Sequence, residues 1–314
     1  MTNPILVELT RGDLVESVHR GAVAVCDAKG TSVFALGDVD AAAYPRSSLK
    51  PVQALPLVES GAGVSEEEIA LACASHSGEP MHTVPIAAWL ARIGCSERDL
   101  ACGPHPPRYE PVWEEMIRRG ERPRRIHNNC SGKHTGFLAL ARHWNIATQG
   151  YERVDHPVQQ AVKKTLSDLS GLADFPFGID GCTAPNFALP LPAFARALAK
   201  LPEAAAGQRI VRAMTRHPEL VSGTGRWCAK LMHATKDVAV KAGAEGVYAA
   251  IVPERGLGIA LKIDDGAGRA AETAIAAVLA ALGLLARDHP LLRTPVTNTR
   301  DAIVGERRPG AALL

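Results

Sequence analysis

The chain has 314 residues and a formal net charge of +2 at pH 7, with 46% hydrophobic and 22% charged residues. These values are typical of a soluble globular protein of one or two domains. The small charge, without a basic stripe interleaved with aromatic residues, argues against nucleic-acid binding. The longest apolar run, 274–286, is too short to span a bilayer, and no export signal is evident. Seven scattered cysteines argue against a disulfide framework, so we expect a cytoplasmic protein without membrane partners.

The first part of the chain predicts antiparallel strands, and the middle predicts helices. Segments 5–9, 15–26 and 32–36 are apolar or alternate in polarity, and turn residues separate them. Ser65 predicts the cap of a helix that starts at Glu66, with glutamates in its first turn. Further helices are predicted at 83–93, 131–144, 157–170, 193–201 and 207–215, while 102–111 and 178–192 are predicted to be irregular.

The last third returns to strand patterns, at 238–252 and 257–263, and then predicts a long apolar helix over 269–286. Strands therefore come first and last, with helices between them. This order predicts an α/β protein of the α+β type, whose antiparallel sheet is built from both ends of the chain and flanked by helices. We expect residues 1–314 to form a single catalytic unit, in which 5–36, 238–265 and 269–286 make a sheet lobe and 47–235 a mostly helical lobe.

Ser47 and Lys50 are the first candidate catalytic pair, because residues three apart share one face of a helix. A serine hydroxyl becomes a nucleophile when a base takes its proton, and a lysine of lowered pKa can be that base. The S-x-x-K motif is the form of this pair in penicillin-recognising enzymes. The alternative is that Ser47 caps a helix and Lys50 is exposed.

Two further segments extend this pattern. Ser75 and Ser77 lie in a loop after the helix at Glu66, and Lys241 is followed by a small residue and a glycine before an apolar strand. Penicillin-recognising enzymes carry S-x-x-K, a middle serine and a Lys-Thr/Ser-Gly motif in this order. The alternative for Lys241 is a solvated lysine preceding a strand.

Cys130 and Cys182 are candidate metal ligands. Cys130 precedes a predicted helix that carries Lys133 and His134, and Cys182 follows Asp180 in an irregular segment. Two thiols with a histidine or lysine could bind zinc if folding brings them together. Their spacing matches no zinc-finger pattern, which favours the alternative that both are buried small side chains.

Five segments together resemble the rhizobial-type L-asparaginases, also called class 3 or thermolabile asparaginase II. They are 45–51, 73–79, 128–134, 178–182 and 241–246, so the resemblance covers nearly the whole chain. It implies a fold like that of the serine β-lactamases and serine-dependent glutaminases. It also implies hydrolysis of L-asparagine, a small-molecule substrate, to L-aspartate and ammonia, and a homodimer.

The resemblance also implies a role for each matching residue. Ser47 and Lys50 match the family's first Ser-Lys pair, and Ser75 and Lys241 match its second. Cys130, Lys133 and Cys182 match its zinc ligands, and Asp180, Arg46 and His134 match residues lining the substrate pocket. Ser77 stays open as an alternative to Ser75. Asparagine and glutamine differ by one methylene, which discriminates by only about 1–3 kcal/mol, so the choice between them stays open. Other possible functions are a β-lactamase or peptidase and a non-catalytic small-ligand binding protein.

Overall fold

A computed structural model describes residues 2–313 of the chain. Within these residues the strands are β1 (Ile5–Arg11), β2 (Leu14–Asp27), β3 (Ser32–Leu36), β4 (Phe177–Ile179), β5 (Pro185–Phe187), β6 (Ala239–Ala242), β7 (Val247–Val252), β8 (Leu257–Ile263), β9 (Thr294–Thr297) and β10 (Ile303–Pro309). The helices are α1 (Lys50–Glu59), α2 (Glu66–Ala72), α3 (Pro80–Arg92), α4 (Glu110–Arg118), α5 (Ser131–His143), α6 (Pro157–Ser170), α7 (Leu191–Lys200), α8 (Ala205–Arg216), α9 (Pro218–Ser222), α10 (Trp227–Ala234) and α11 (Gly268–Ala281).

The chain divides into two compact units. The sheet unit comprises the residues up to 48, 189–200 and those from 234 onward, and the helical unit comprises 49–188 and 201–233. The prediction of a single catalytic unit with two lobes stays a prediction.

The sheet unit contains one antiparallel sheet with the strand order β6-β7-β8-β2-β1-β10-β9, and β3 pairs with β2. The 14-residue strand β2 is long enough to pair with β1 through its first half and with β8 and β3 through its second. Helix α7 packs on β2 and β8, and α11 packs on β7 and β8. This confirms the predicted α/β architecture with a sheet drawn from both ends of the chain.

The helical unit is built around α1, whose residues from Lys50 to Val58 are all buried. It packs against α2, α5, α6 and α8. The predicted cap of α2 is confirmed: the Ser65 hydroxyl accepts a hydrogen bond from the Glu68 N–H, and the Glu68 carboxylate accepts one from the Ser65 N–H. None of the helices in residues 2–313 is long and apolar enough to cross a membrane.

The structure also corrects several predicted elements. The segment 178–192 is not irregular throughout, because β4 and β5 pair there as a short antiparallel hairpin. The last helix ends at Ala281, and two strands that were not predicted, β9 and β10, follow it. Helices α4 and α10 were not predicted either.

Candidate active site

Lys50 is the central charged group of the helical unit. It is the first residue of α1 and is fully buried, which overturns the alternative that it is exposed. Its Nζ donates hydrogen bonds to the Ala74 carbonyl oxygen, to Ser75 Oγ at 3.0 Å and to the Asn129 carbonyl oxygen at 3.4 Å. Polar partners therefore surround an amine that lies wholly out of water.

Burial lowers the pKa of Lys50, because it penalises the charged ammonium form. The neighbouring Cys130 sulfur opposes this effect, and the positive charge of Lys133 adds to it. The net effect makes the Lys50 ammonium easier to deprotonate, and the free amine so formed is the form that can accept a proton.

Ser75 and Ser77 lie in the loop after α2 and have different partners. The Ser75 N–H donates to the Val221 carbonyl oxygen at 2.9 Å, which holds the loop beside Lys50. The Ser77 hydroxyl is buried and donates to the Glu79 carboxylate. Lys50 thus contacts Ser75, whereas Ser77 is engaged by a carboxylate two residues further along the chain.

Cys130, Lys133 and Cys182 come together in the helical unit although 49 residues separate the last two. Lys133 Nζ lies 3.0 Å from Cys182 Sγ, and Cys130 is close enough to Cys182 for each thiol to shift the pKa of the other. Helix α5, which carries Lys133, packs closely on α2, since a Cβ at Gly132 would lie 2.3 Å from the Leu71 carbonyl oxygen.

The pKa values of these three side chains are shifted in different directions. The hydrogen bond from Cys130 and the positive charge of Lys133 lower the pKa of Cys182 to about 4, against the effect of burial. The bond to Cys182, together with burial, raises the pKa of Cys130 to about 12. Burial lowers the pKa of Lys133, but the two sulfurs outweigh it and raise the pKa. Near neutral pH these directions favour a thiolate at Cys182, a thiol at Cys130 and an ammonium at Lys133.

This donor set fits a zinc ion with one open coordination position. Zinc prefers sulfur and nitrogen ligands, and three protein ligands leave a fourth position for water or substrate. The donors also already touch one another, so a metal would replace shared protons. Within residues 2–313 no group of three or more His, Cys, Asp or Glu side chains is placed to hold a metal, so a site here depends on Lys133.

Asp180 and His134 flank this cluster. Asp180 lies in the turn between β4 and β5, and its charge raises the pKa of both Lys133 and Cys182. Tyr151 OH accepts a hydrogen bond from the Ala101 N–H and lies 2.7 Å from His134 Nδ1. The other ring nitrogen, Nε2, is buried and has no hydrogen-bond partner. An unpaired buried polar atom next to Lys133 in the chain is consistent with a site that receives a ligand.

The sheet unit carries the remaining predicted residues. Ser47 lies in a single 3-10 turn, Arg46–Leu49, and is half-buried. It does not cap α1, whose capping position is Leu49. Arg46 has a φ of 51°, a left-handed conformation that is uncommon for a residue with a side chain. Strained backbone of this kind is concentrated at functional sites.

Lys241 lies in β6 and is 2% exposed, so it is not the solvated lysine of the alternative interpretation. Its Nζ donates to the Ala242 carbonyl oxygen at 2.8 Å. At Gly243 a Cβ would lie 2.7 Å from the Pro45 carbonyl oxygen and 3.4 Å from Arg46 Cβ. A glycine is therefore required where the end of β6 meets the turn that carries Ser47.

The sequence analysis did not single out Glu79 or Tyr151. Glu79 holds the Ser77 side chain, and Tyr151 orients His134. The position of Glu79 two residues after Ser77 was an available signal for a local hydrogen bond. Nothing in the sequence around Tyr151 indicated its partner.

Structural comparison gives distant similarities. A protein described as Mglu, in its native form, is 14% identical, covers 92% of this chain and 71% of its own, and has a TM-score of 0.44. A β-lactamase from Mycobacterium bovis is 13% identical, with coverages of 84% and 95% and a TM-score of 0.39. An octameric penicillin-binding protein homologue from Pyrococcus abyssi is also 13% identical, with coverages of 86% and 75% and a TM-score of 0.37. Scores this low carry no argument about activity.

Comparison with curated proteins gives no match. Comparison with family models is decisive, because the model described as L-asparaginase II matches residues 7–309. That span includes both candidate Ser-Lys pairs and the cluster of Cys130, Lys133 and Cys182. The chain therefore belongs to the L-asparaginase II family and is an L-asparaginase, an amidohydrolase.

Proposed function

We propose that this enzyme hydrolyses L-asparagine through an acyl-enzyme on Ser47, with Lys50 as the base. The observation that carries the proposal is the buried amine of Lys50, which has a lowered pKa and is hydrogen-bonded to Ser75. A lysine kept out of water as a free amine can take a proton from a hydroxyl. Ser47 is three residues away in the chain, after a single turn.

In the first half-reaction the Ser47 oxygen bonds to the carbon of the side-chain amide, and its proton passes to the Lys50 amine. Ser75, which accepts a hydrogen bond from Lys50, relays a proton to the amide nitrogen. The carbon–nitrogen bond then breaks and ammonia leaves, with an ester at Ser47. Backbone N–H groups near Ser47 and on the Lys241 strand would stabilise the oxyanion.

In the second half-reaction water attacks the ester carbon and gives a proton to Lys50. The bond from carbon to the Ser47 oxygen breaks, and Ser47 recovers a proton as L-aspartate forms. Lys241 is the partner that we propose for Ser75 in moving these protons, and it is buried in β6 as that role requires.

Cys130, Lys133 and Cys182 would hold a zinc ion, which when bound supplies positive charge for the polar groups of the substrate. Asp180, His134 and Arg46 are the substrate-binding residues that we propose around it. Asp180 supplies a carboxylate for the ammonium group of the substrate. The homodimer and the cytoplasmic location that we expect from the sequence analysis stay predictions.

Substitution of Ser47 tests the proposal directly. We expect Ser47→Ala to abolish ammonia release from asparagine while the circular dichroism spectrum stays unchanged. Rapid acid quenching of the wild-type enzyme should give a mass gain of one aspartyl group, located on the peptide containing Ser47. Near-full activity of the Ser47→Ala variant would exclude Ser47 as the nucleophile.

Ser48→Ala is the matched control, because the neighbouring hydroxyl has a purely structural bond. Ser48 Oγ donates to the Pro45 carbonyl oxygen at 2.5 Å. We expect Ser48→Ala to lose about 1 kcal/mol of stability and to keep its activity. Assays with glutamine and with a chromogenic β-lactam on the same preparations measure selectivity and test the β-lactamase alternative.

A further inference from the structure

Two arginine-bearing loops of the helical unit meet at Ser77, two residues after Ser75. The Arg108 N–H donates to the Ser77 carbonyl oxygen at 2.7 Å. On the other side a Cβ at Gly223 would lie 2.0 Å from Ser77 Oγ, so the loop that leads to Arg226 packs directly on this serine. The loops that carry the two arginines are therefore both held against the loop that carries the proposed proton relay.

Glu79 holds the second loop in place. One carboxylate oxygen accepts a hydrogen bond from the Thr224 N–H at 2.9 Å, and the other accepts one from Thr224 Oγ1 at 2.6 Å. The Arg226 N–H then closes the turn on the Gly223 carbonyl oxygen at 3.2 Å. The Glu79 carboxylate is thus hydrogen-bonded to Thr224 and Ser77, and it forms no ion pair with Arg226.

The side chains of Arg108 and Arg226 are exposed, and neither forms an ion pair or side-chain hydrogen bond with any residue in the described range 2–313. Partial burial lowers the pKa of Arg108, and the positive charge of Arg226 lowers it further, while Cys130 acts in the opposite direction. The charge of Arg108 also contributes to the low pKa of His76. Two guanidiniums without a carboxylate partner among the described residues therefore extend from loops that both pack on Ser77.

We propose that Arg108 and Arg226 bind the α-carboxylate of the amino-acid substrate. This inference rests on the proposed function and names a specificity-determining pair for it. A guanidinium offers planar paired donors that match a carboxylate, and an anion between two guanidiniums relieves their mutual repulsion. Holding that end of the substrate beside the Ser75 loop would orient the side-chain amide for attack.

The test compares two substrates that differ only in the carboxylate. β-Alaninamide is asparagine without its α-carboxylate, so it cannot use the proposed contact. We expect the double variant Arg108→Gln/Arg226→Gln to lose about 10- to 100-fold in kcat/KM for asparagine, mainly through KM, and to lose almost nothing for β-alaninamide. Arg226→Lys should recover part of the loss, because it keeps the charge without the paired donors.

Arg153→Gln is the matched control, since Arg153 is exposed in the same unit but already pairs with Asp155 at 3.1 Å. It should leave both substrates unaffected. An equal loss on both substrates by the double variant, or no loss on asparagine, would overturn the inference.

Calorimetry on the Ser47→Ala variant separates this inference from the proposed mechanism. We expect Ser47→Ala to bind L-aspartate more tightly than β-alanine, which lacks the α-carboxylate, and the two arginine substitutions should remove that preference. The preference would survive even if Ser47 were not the nucleophile. Its absence with both arginines present would refute the carboxylate site, whatever the turnover assays show.

Discussion

Glu79 provides the sharpest test of how the site loops are held together. Its carboxylate accepts three hydrogen bonds, from the Ser77 hydroxyl and from the N–H and hydroxyl of Thr224. In Glu79→Gln the amide oxygen can keep the first two bonds, and the new NH2 group can donate to the Thr224 hydroxyl, which rotates to accept. All three contacts survive, and only the charge is lost.

The expected cost follows from that count. Hydrogen bonds to a charged group contribute about 1.5–3 kcal/mol each and neutral ones about 0.5–1.5 kcal/mol, so for three bonds Glu79→Gln should lower the free energy of unfolding by about 3 kcal/mol. Glu79→Ala removes all three bonds and leaves the buried Ser77 hydroxyl without its acceptor, so it should cost about 4 kcal/mol or more.

The pH dependence distinguishes a charge effect from a packing effect. Burial tends to raise the pKa of Glu79, but the hydrogen bonds from Ser77 and Thr224 outweigh it and hold the pKa below the ordinary value of 4.5. A carboxyl whose pKa is lower in the folded state stabilises the fold above the unfolded-state pKa. That contribution is lost as the pH falls through the folded-state pKa. The gap between wild type and Glu79→Gln should therefore be full near neutral pH and should shrink in acid.

Urea unfolding followed by circular dichroism at several pH values measures both effects. Glu115→Gln is the matched control, because Glu115 is exposed and pairs only with surface arginines. It should change stability by less than about 0.5 kcal/mol. A Glu79→Gln variant as stable as wild type near neutral pH, or a gap that persists unchanged in acid, would refute this account of the loop.

Three further substitutions test the site. Lys50→Met should lower kcat by about 10²–10⁴-fold in an ammonia-release assay. It should keep the fold, because a similar volume replaces a buried charge. Gly243→Ala puts a Cβ 2.7 Å from the Pro45 carbonyl oxygen, so the turn must move and kcat/KM should fall by about tenfold or more. Cys182→Ser should reduce the zinc content of the purified protein, measured by mass spectrometry of the metal, by about tenfold or more.

Matched controls exist for two of these changes. At Gly268 a Cβ would meet no atom within 4 Å, so Gly268→Ala should leave activity and stability nearly unchanged. Cys95 is a partly exposed free thiol, so Cys95→Ser should leave the zinc content unchanged. Lys50→Met activity within tenfold of wild type would remove Lys50 as the base. Equal zinc contents in the two cysteine variants would remove Cys182 as a ligand.

The fold was predictable where local pattern and packing agree. β1–β3, α2, α5 and α6 match their predicted segments within a few residues, because alternation, capping residues and apolar periodicity all indicate the same element. Strand β10 was not predicted because its charged residues are paired only in the folded chain. Arg307 is 8% exposed and pairs with Glu272 at 3.3 Å, on a helix 35 residues earlier. No local pattern indicates such a partner.

At the candidate active site, too, local features were predictable from the sequence and long-range contacts were not. The residue types and the position of Cys130 at a helix start followed from the sequence, since capping and spacing are local properties, whereas α1 starts at Lys50 and not at Ser47 as expected. The contacts did not, because Lys50 bonds to residues 25 and 79 positions away. The choice between Ser75 and Ser77 depends on both kinds of information. A distant lysine engages Ser75, and a carboxylate two residues away engages Ser77. From sequence alone, the nearby Glu79 carboxylate can be used to exclude Ser77. Only the packing of α1 against α2 shows that Ser75 is the serine beside Lys50.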